Sequence, residues 1–417
     1  IETFGAKIGA LSEEKPQRAR QLLTAGFRAN GVKNKLASKR SSKSDRMLFQ
    51  LVNRAMVTCL AKPQSNVMVS LFTPCEMLHL QGLHPYSCEG FSSYLSGAMA
   101  EQPFLHQAED TGIPNSLCSY HKVFIGAAQM GLMPKPRFIL STSLACDANT
   151  LTFRHLAQFY DVPHFNVDIP FESSPQAVDY VAGQLRQMGE FLTRQTGLPL
   201  DDGQLARTVA RSQRTMALYH RGLRLRAGRQ VLSDLTSELL RTAAFHFLLG
   251  TPETEAYARQ LLREITTAPP AQGKQLLWIH TTPYWVAPLR HLFAQSTRVQ
   301  VAACDMSYEG IVEADPTKPY EAMARRLVYS PFNGPAQRRI DRALEMAKTV
   351  GADGAVWFCH WGCKHTLGGA RLGKKALEEA GLPTLLLDGD SCDRGFGGEG
   401  QAATRMEAFL EVLEGMA

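Results

Sequence analysis

The spacing of apolar positions changes along the chain. Over residues 1–65 it is helical, and the run Met47, Leu48, Phe49, Leu51, Val52, Ala55 and Met56 predicts an amphipathic helix with Ser44 or Asp45 as N-cap. From Asn66 short apolar runs take over. Residues 66–72, 137–141 and 164–168 read as strands separated by helical stretches, with Pro74 breaking the first. A long helical region follows from Ser174 to about Thr267, interrupted at Gly197-Leu198-Pro199, Gly203 and Gly250-Thr251-Pro252. It stops at Ala268-Pro269-Pro270-Ala271-Gln272-Gly273, the strongest boundary signal in the sequence. Strand-like runs then return at 275–279, 299–303, 355–358 and 384–388.

Strands alternating with helices imply mainly parallel sheets. The expected class is α/β, with two Rossmann-like doubly wound parallel-sheet domains and helical N-terminal and connecting segments. The boundaries read as a helical segment with a basic arm over 1–65, a first α/β domain over 66–200, a helical connection over 201–270 and a second α/β domain over 271–417. The length of 417 residues agrees with more than one domain.

Charge and composition narrow the function. The net charge is +6, and residues 33–46 carry most of it, with six basic residues against the single acid Asp45. With four serines and few apolar residues, that segment reads as a solvated connector, or as an arm for a phosphate-bearing ligand or acidic partner. No aromatic platform or binding motif accompanies the charge, so nucleic acid is not expected as a partner. No apolar run approaches the roughly 18 residues of a membrane span, and the polar start Ile1-Glu2-Thr3 has no signal-peptide core. A cytoplasmic setting is expected, where the nine cysteines would serve packing, catalysis or metal rather than disulfides.

Most of these cysteines sit at one topological position. In open α/β sheets ligands gather beyond the carboxyl ends of the strands. Cys75, Cys146, Cys304, Cys359, Cys363 and Cys392 each end or follow a predicted strand, and Cys118 opens a predicted helix whose positive end would favour a thiolate. Cys59 falls on the apolar stripe of a helix and reads as core. Cys118, Cys146 and Cys363 lie at loop tips, 28 and 217 residues apart, far from the spacing of a zinc knuckle. Three thiolates suit one iron–sulfur cube with a fourth iron left for substrate or solvent, and three cysteines plus water would equally accept zinc.

These pieces resemble the 2-hydroxyacyl-CoA dehydratase D-component family, which also contains the cluster-bearing subunits of ATP-dependent benzoyl-CoA reductase and the double-cubane cluster proteins. The similarity runs from about Asn66 onward: Pro74-Cys75-Glu76-Met77-Leu78 at a helix start, Cys118-Ser119-Tyr120, Cys146-Asp147, Cys363 followed eleven residues on by Lys374-Lys375-Ala376-Leu377, and a helix-like run over 401–409. The resemblance implies that Cys118, Cys146 and Cys363, rather than Cys359, ligate a [4Fe-4S] cluster. It implies a homologous subunit or a homodimer, an ATP-dependent activator with its own iron–sulfur cluster, and an acyl-CoA substrate. One-electron reduction of the thioester to a ketyl radical anion would then expel water, as in a dehydratase, or lead to further reduction, as in a reductase. A non-catalytic electron-transfer subunit is the reading from another class. Double-cubane relatives carry cysteines before a Ser-Pro pair where this chain has Leu327-Val328-Tyr329-Ser330-Pro331, which favours a single cube. Cys75, Cys359 and Cys392 keep the larger cluster open.

Two further residues are catalytic candidates. Glu76 opens a helix beside the expected site and could move protons; its plain alternative is an ordinary first-turn carboxylate. His280 follows a strand of the second half and could reach a substrate oxygen, or be a hydrogen-bonded loop histidine. Gly395-Phe396-Gly397-Gly398-Glu399-Gly400 satisfies a dinucleotide fingerprint, but no strand with an acidic residue follows it. No P-loop is present, so ATP use would belong to a partner.

Overall fold

The strand-like runs form two separate four-stranded sheets with the same strand order. The computed structural model of the protein describes residues 1–36, 42–231, 233–307 and 313–416. Strands β1 (Asn66–Val69), β2 (His84–Ser87), β3 (Phe138–Thr142) and β4 (His164–Val167) are ordered β2-β1-β3-β4. Strands β5 (Lys274–Ile279), β6 (Val299–Cys304), β7 (Gly354–His360) and β8 (Thr384–Gly389) repeat that order as β6-β5-β7-β8. Every pairing is parallel. Each sheet therefore reverses its winding beside its first strand, and the loops after β1, β3, β5 and β7 flank the two switch points where such sheets bind ligands.

Helices cover both sheets. α1 (Glu2–Glu14), α2 (Pro16–Leu36) and α3 (Lys43–Ala61) precede the first sheet, and α4 (Glu76–Leu80), α5 (Cys88–Gly97), α6 (Gln102–Asp110), α7 (Ser119–Gln129) and α8 (Asp147–Tyr160) are interleaved with it. α9 (Pro175–Thr196), α10 (Asp202–Arg226), α11 (Leu235–Phe247) and α12 (Pro252–Thr267) connect the sheets, and α13 (Ala287–Phe293), α14 (Pro319–Val328), α15 (Ala336–Val350), α16 (Lys364–Glu379) and α17 (Glu399–Gly415) surround the second. Burial on both faces explains the largely apolar runs of β1, β3, β5, β6 and β7. Val67, Val69, Phe138 and Leu140 point into one core that continues into the second sheet, while Met68 and Ile139 point into another, shared with α1–α3 and α5–α8.

Several local expectations need correction. The N-cap of α3 is Ser42, whose side chain accepts the Asp45 backbone N–H at 3.1 Å, while Ser44 bonds Glu264 of α12 through its backbone N–H at 2.9 Å. Described residues of the basic segment are largely helical rather than connector: Lys33 and Lys35 lie in the last turn of α2, where cations suit the helix dipole, and Lys43 begins α3. Lys39 and Arg40 lie outside the described residues. β1 ends at Val69, before the expected 72. Strand β2 escapes the apolar pattern because it is a four-residue edge strand containing Pro85, a position where a missing N–H is tolerated. The long helical region breaks again between α10 and α11, where Gly228 adopts φ +66° and Asp234 caps the next helix.

Glu76 and Arg326 clasp elements from both halves. Glu76 opens α4 after β1 and is fully buried; Arg326 of α14 donates to both of its carboxylate oxygens, at 2.7 and 3.1 Å, and Ser212 of α10 donates at 2.9 Å. Burial pushes the Glu76 carboxyl up, and the guanidinium more than offsets this, holding it below the usual carboxylate range. Removing one partner of such a pair strands the other charge. Glu76→Gln is therefore expected to lower unfolding stability by about 3–5 kcal/mol in urea titrations. A variant of wild-type stability would show that the clasp is not structural.

Candidate functional site

Three cysteines cap three helices that meet between the sheets. Cys118 is the N-cap of α7, Cys146 of α8 after β3, and Cys363 of α16 after β7. Backbone N–H groups of the following turn face each sulfur: Tyr120 at Cys118, Asn149 and Ala148 at Cys146, Thr366 and His365 at Cys363. These donors, with the helix dipole, favour a thiolate.

The loops are brought together by backbone contact. Gly362 takes φ +78°, and a Cβ there would stand 2.8 Å from the Cα and N of Cys118. α16 is seated against β7 by Gly373, where a side chain would overlap the ring of Trp357; the Trp357 indole N–H donates to Thr366 Oγ1 at 3.0 Å. Asn149 braces the Cys146 loop by donating to the Leu144 carbonyl at 3.2 Å. Asp390, after β8, accepts the Ser119 hydroxyl at 2.6 Å and the Cys392 and Asp393 N–H groups at 2.7 Å, which ties the start of α7 to the second sheet.

The three thiols feel one another. Burial, followed by the neighbouring Cys363, pushes Cys146 up to about 12; burial, followed by Cys363, Asp390 and Cys146, holds Cys118 well above the usual thiol range. Burial also raises Cys363, against the backbone N–H groups and Arg339. They are the three partly exposed cysteines, and the other six are buried. Those six have their own surroundings. Cys59 and Cys88 lie in the second core, Cys75 faces the Thr73 carbonyl, and Cys304 the His280 carbonyl. Cys359 lies toward Asp388 and Arg405, and Cys392 meets Ser96 Oγ at 3.1 Å. Among the described residues no three His, Cys, Asp or Glu side chains stand at the spacing of a single-ion site.

Cys146 and Cys363 open onto a cavity of about 780 Å³, the size of a cofactor or substrate pocket. Its wall is largely apolar and aromatic, with Phe27, Phe49, Phe72, Leu240, Tyr284 and Trp285 among the lining residues. Lys33 and Arg290 line it from exposed positions.

Of the two catalytic candidates, the cavity receives His280 and not Glu76, which is engaged in its clasp. His280 holds φ +85°, a conformation costing a non-glycine residue about 1–3 kcal/mol, and its backbone N–H donates to Asp305 at 2.7 Å. Arg339, ion-paired with Asp305 at 2.7 Å, directs guanidinium N–H groups to Nδ1 of His280 at 3.5 Å and of His365 at 3.3 Å. Burial, then Arg339, keeps His280 neutral, well below the usual imidazole range. Arginine can only donate, so His280 carries its proton on Nε2.

Glu89 and His360 were missed from sequence. Glu89, in the first turn of α5, lines the cavity and accepts from the Leu71 N–H and Ser87 hydroxyl, each at 3.2 Å; burial raises its carboxyl to about 7. The signal available was an acid beside Cys88, a cysteine that itself reads as uninformative. His360 lies three residues before Cys363, and its Nε2 stands 3.3 Å from the Cys118 sulfur.

The chain is similar to an (R)-phenyllactyl-CoA dehydratase alpha subunit from Clostridium sporogenes, 22% identical over 337 residues, covering 75% of this chain and 80% of that one. The sequence profile of the family described as 2-hydroxyglutaryl-CoA dehydratase, D-component, matches residues 70–413, a span that holds both sheets' crossovers and Cys118, Cys146 and Cys363. The protein belongs to the 2-hydroxyglutaryl-CoA dehydratase D-component family.

Proposed function

We propose that this chain is the iron–sulfur subunit of a 2-hydroxyacyl-CoA dehydratase-like enzyme. It would hold a [4Fe-4S] cluster on Cys118, Cys146 and Cys363 and eliminate water from an acyl-CoA thioester after one-electron reduction by an ATP-dependent activator. The observation that carries this reading is the convergence of three N-cap thiols from three separate loops, two of which, Cys146 and Cys363, lie on the wall of a substrate-sized cavity. The donor set fits the group: three sulfurs, each faced by backbone N–H groups, and neutral as thiols until a metal replaces the proton. Zinc, which takes three thiolates and a water, is the alternative that metal analysis separates from the cluster. When bound, the cluster would supply an electron at low potential.

The chain's own side chains would manage the substrate. His280, its proton fixed on Nε2, is placed to donate a hydrogen bond to the thioester oxygen as negative charge develops there. Glu89, poised near neutrality, would pass a proton to the departing hydroxyl. The apolar wall limits water around the reacting thioester. Its aromatic lining suits an aromatic 2-hydroxyacyl group like the one in the relative's name. Exposed Lys33 and Arg290 would meet the CoA phosphates. The relative is one subunit of its enzyme, and a homologous subunit or second copy would work beside this chain.

Three outcomes are expected. Cys118→Ala, Cys146→Ala and Cys363→Ala should each lose most of the iron and sulfide of anaerobically prepared protein, while Cys359→Ala keeps it; full iron in Cys363→Ala would remove that residue from the ligand set. Wild-type protein without iron would sink the cluster reading. Glu89 keeps its proton to about pH 7 when folded but loses it near the ordinary 4.5 when unfolded. Wild-type stability should therefore fall as pH rises between those values, by up to about 3 kcal/mol, and Glu89→Gln should flatten that slope and slow turnover. Lys33→Gln and Arg290→Gln should each raise KM for the CoA thioester about two- to fivefold, more at low salt than at high. A KM insensitive to both changes would place the phosphates elsewhere.

A further inference from the structure

His360 ends β7 and is 1% exposed, between the two halves of the molecule. Its ring is set from several sides, by Tyr120 at 5.3 Å and His280 at 6.0 Å between ring centres. The backbone N–H of Ser391 donates to Nδ1 at 3.1 Å. A backbone N–H has no acceptor role, so Nδ1 must accept, and a neutral imidazole then carries its one proton on Nε2. The nearest Asp390 oxygen, 3.7 Å from Nδ1, is already occupied by Ser119, Cys392 and Asp393. Nε2–H therefore points at Cys118 Sγ, 3.3 Å away.

We infer that His360 is a hydrogen-bond donor to the Cys118 thiolate in the loaded site and raises the reduction potential of the cluster that Cys118 helps to hold. The inference rests on the cluster reading proposed above. A donor to a ligating sulfur withdraws charge from it and stabilises the more negative, reduced form preferentially. His360 is thus a positioning and tuning residue: it acts through Cys118 and need not touch substrate. The Ser391 contact matters because it selects the tautomer, and the loop that supplies it also secures α7 through Asp390.

The test compares anaerobic wild-type protein with His360→Met, which keeps bulk without a donor, and His360→Gln, which keeps an N–H donor. Redox titration followed by electron paramagnetic resonance should show His360→Met harder to reduce, by about three- to tenfold in the reduction equilibrium, or about 28–59 mV for a one-electron couple. His360→Gln should recover at least half of that shift. An iron-replete His360→Met protein with wild-type potential would overturn the inference. If His360→Met does not fold or bind iron, wild-type protein carrying ¹⁵N-histidine decides: the reduced cluster should show hyperfine coupling to a histidine nitrogen that disappears in His360→Gln, and absence of that coupling in wild type would overturn it. Iron-free wild-type protein would instead defeat the cluster reading itself.

Discussion

Cys118 and Cys363 belong to different halves of the chain, and their meeting depends on a place where two backbones touch. At Gly362 a side chain would collide with the Cys118 main chain, and the positive φ there suits glycine. That contact fixes the distance between the helices that Cys118 and Cys363 cap. Asp390 reinforces it by holding Ser119, and the Glu76–Arg326 clasp joins the halves at another point. A candidate site of three thiols from separate loops needs such rigidity, because the three cysteines share no local sequence spacing.

Environment alone separates the two first-turn carboxylates. Glu76 and Glu89 each open a helix, and a sequence reading can only note the favourable dipole. Arg326 sits against Glu76 and holds it ionised, suited to binding and unsuited to exchanging protons near neutrality. Glu89 has a hydroxyl and backbone N–H groups as donors in place of a guanidinium, so burial wins and its proton stays until about pH 7. In the proposed function, proton chemistry would therefore fall to Glu89, the carboxylate that no cation compensates.

What was legible in the sequence follows the same division. Among the described residues, β1, β3, β5, β6 and β7 are buried on both faces and leave largely apolar runs, β4 and β8 are read from shorter apolar stretches, and the edge strand containing Pro85 does not announce itself. The cysteines were legible because α/β topology gathers the ends of strands, and partial exposure then sets Cys118, Cys146 and Cys363 apart from the six buried thiols. Illegible were contacts between residues remote in sequence: Arg326 with Glu76, Arg339 with His280, and Ser391 presenting an N–H to His360.

Those last two contacts solve one chemical problem twice. A buried imidazole is useful as a donor only if its proton lies on the correct nitrogen, and burial by itself selects neutrality without selecting the tautomer. Arg339 and the Ser391 backbone are obligate donors, and each occupies an Nδ1. His280 and His360 are thereby both left with Nε2–H, the first in a residue that lines the cavity and the second facing the Cys118 sulfur. In the function proposed above, the same device would serve both ends of an electron's path, lowering the cost of negative charge on the thiolate side and on the substrate side alike.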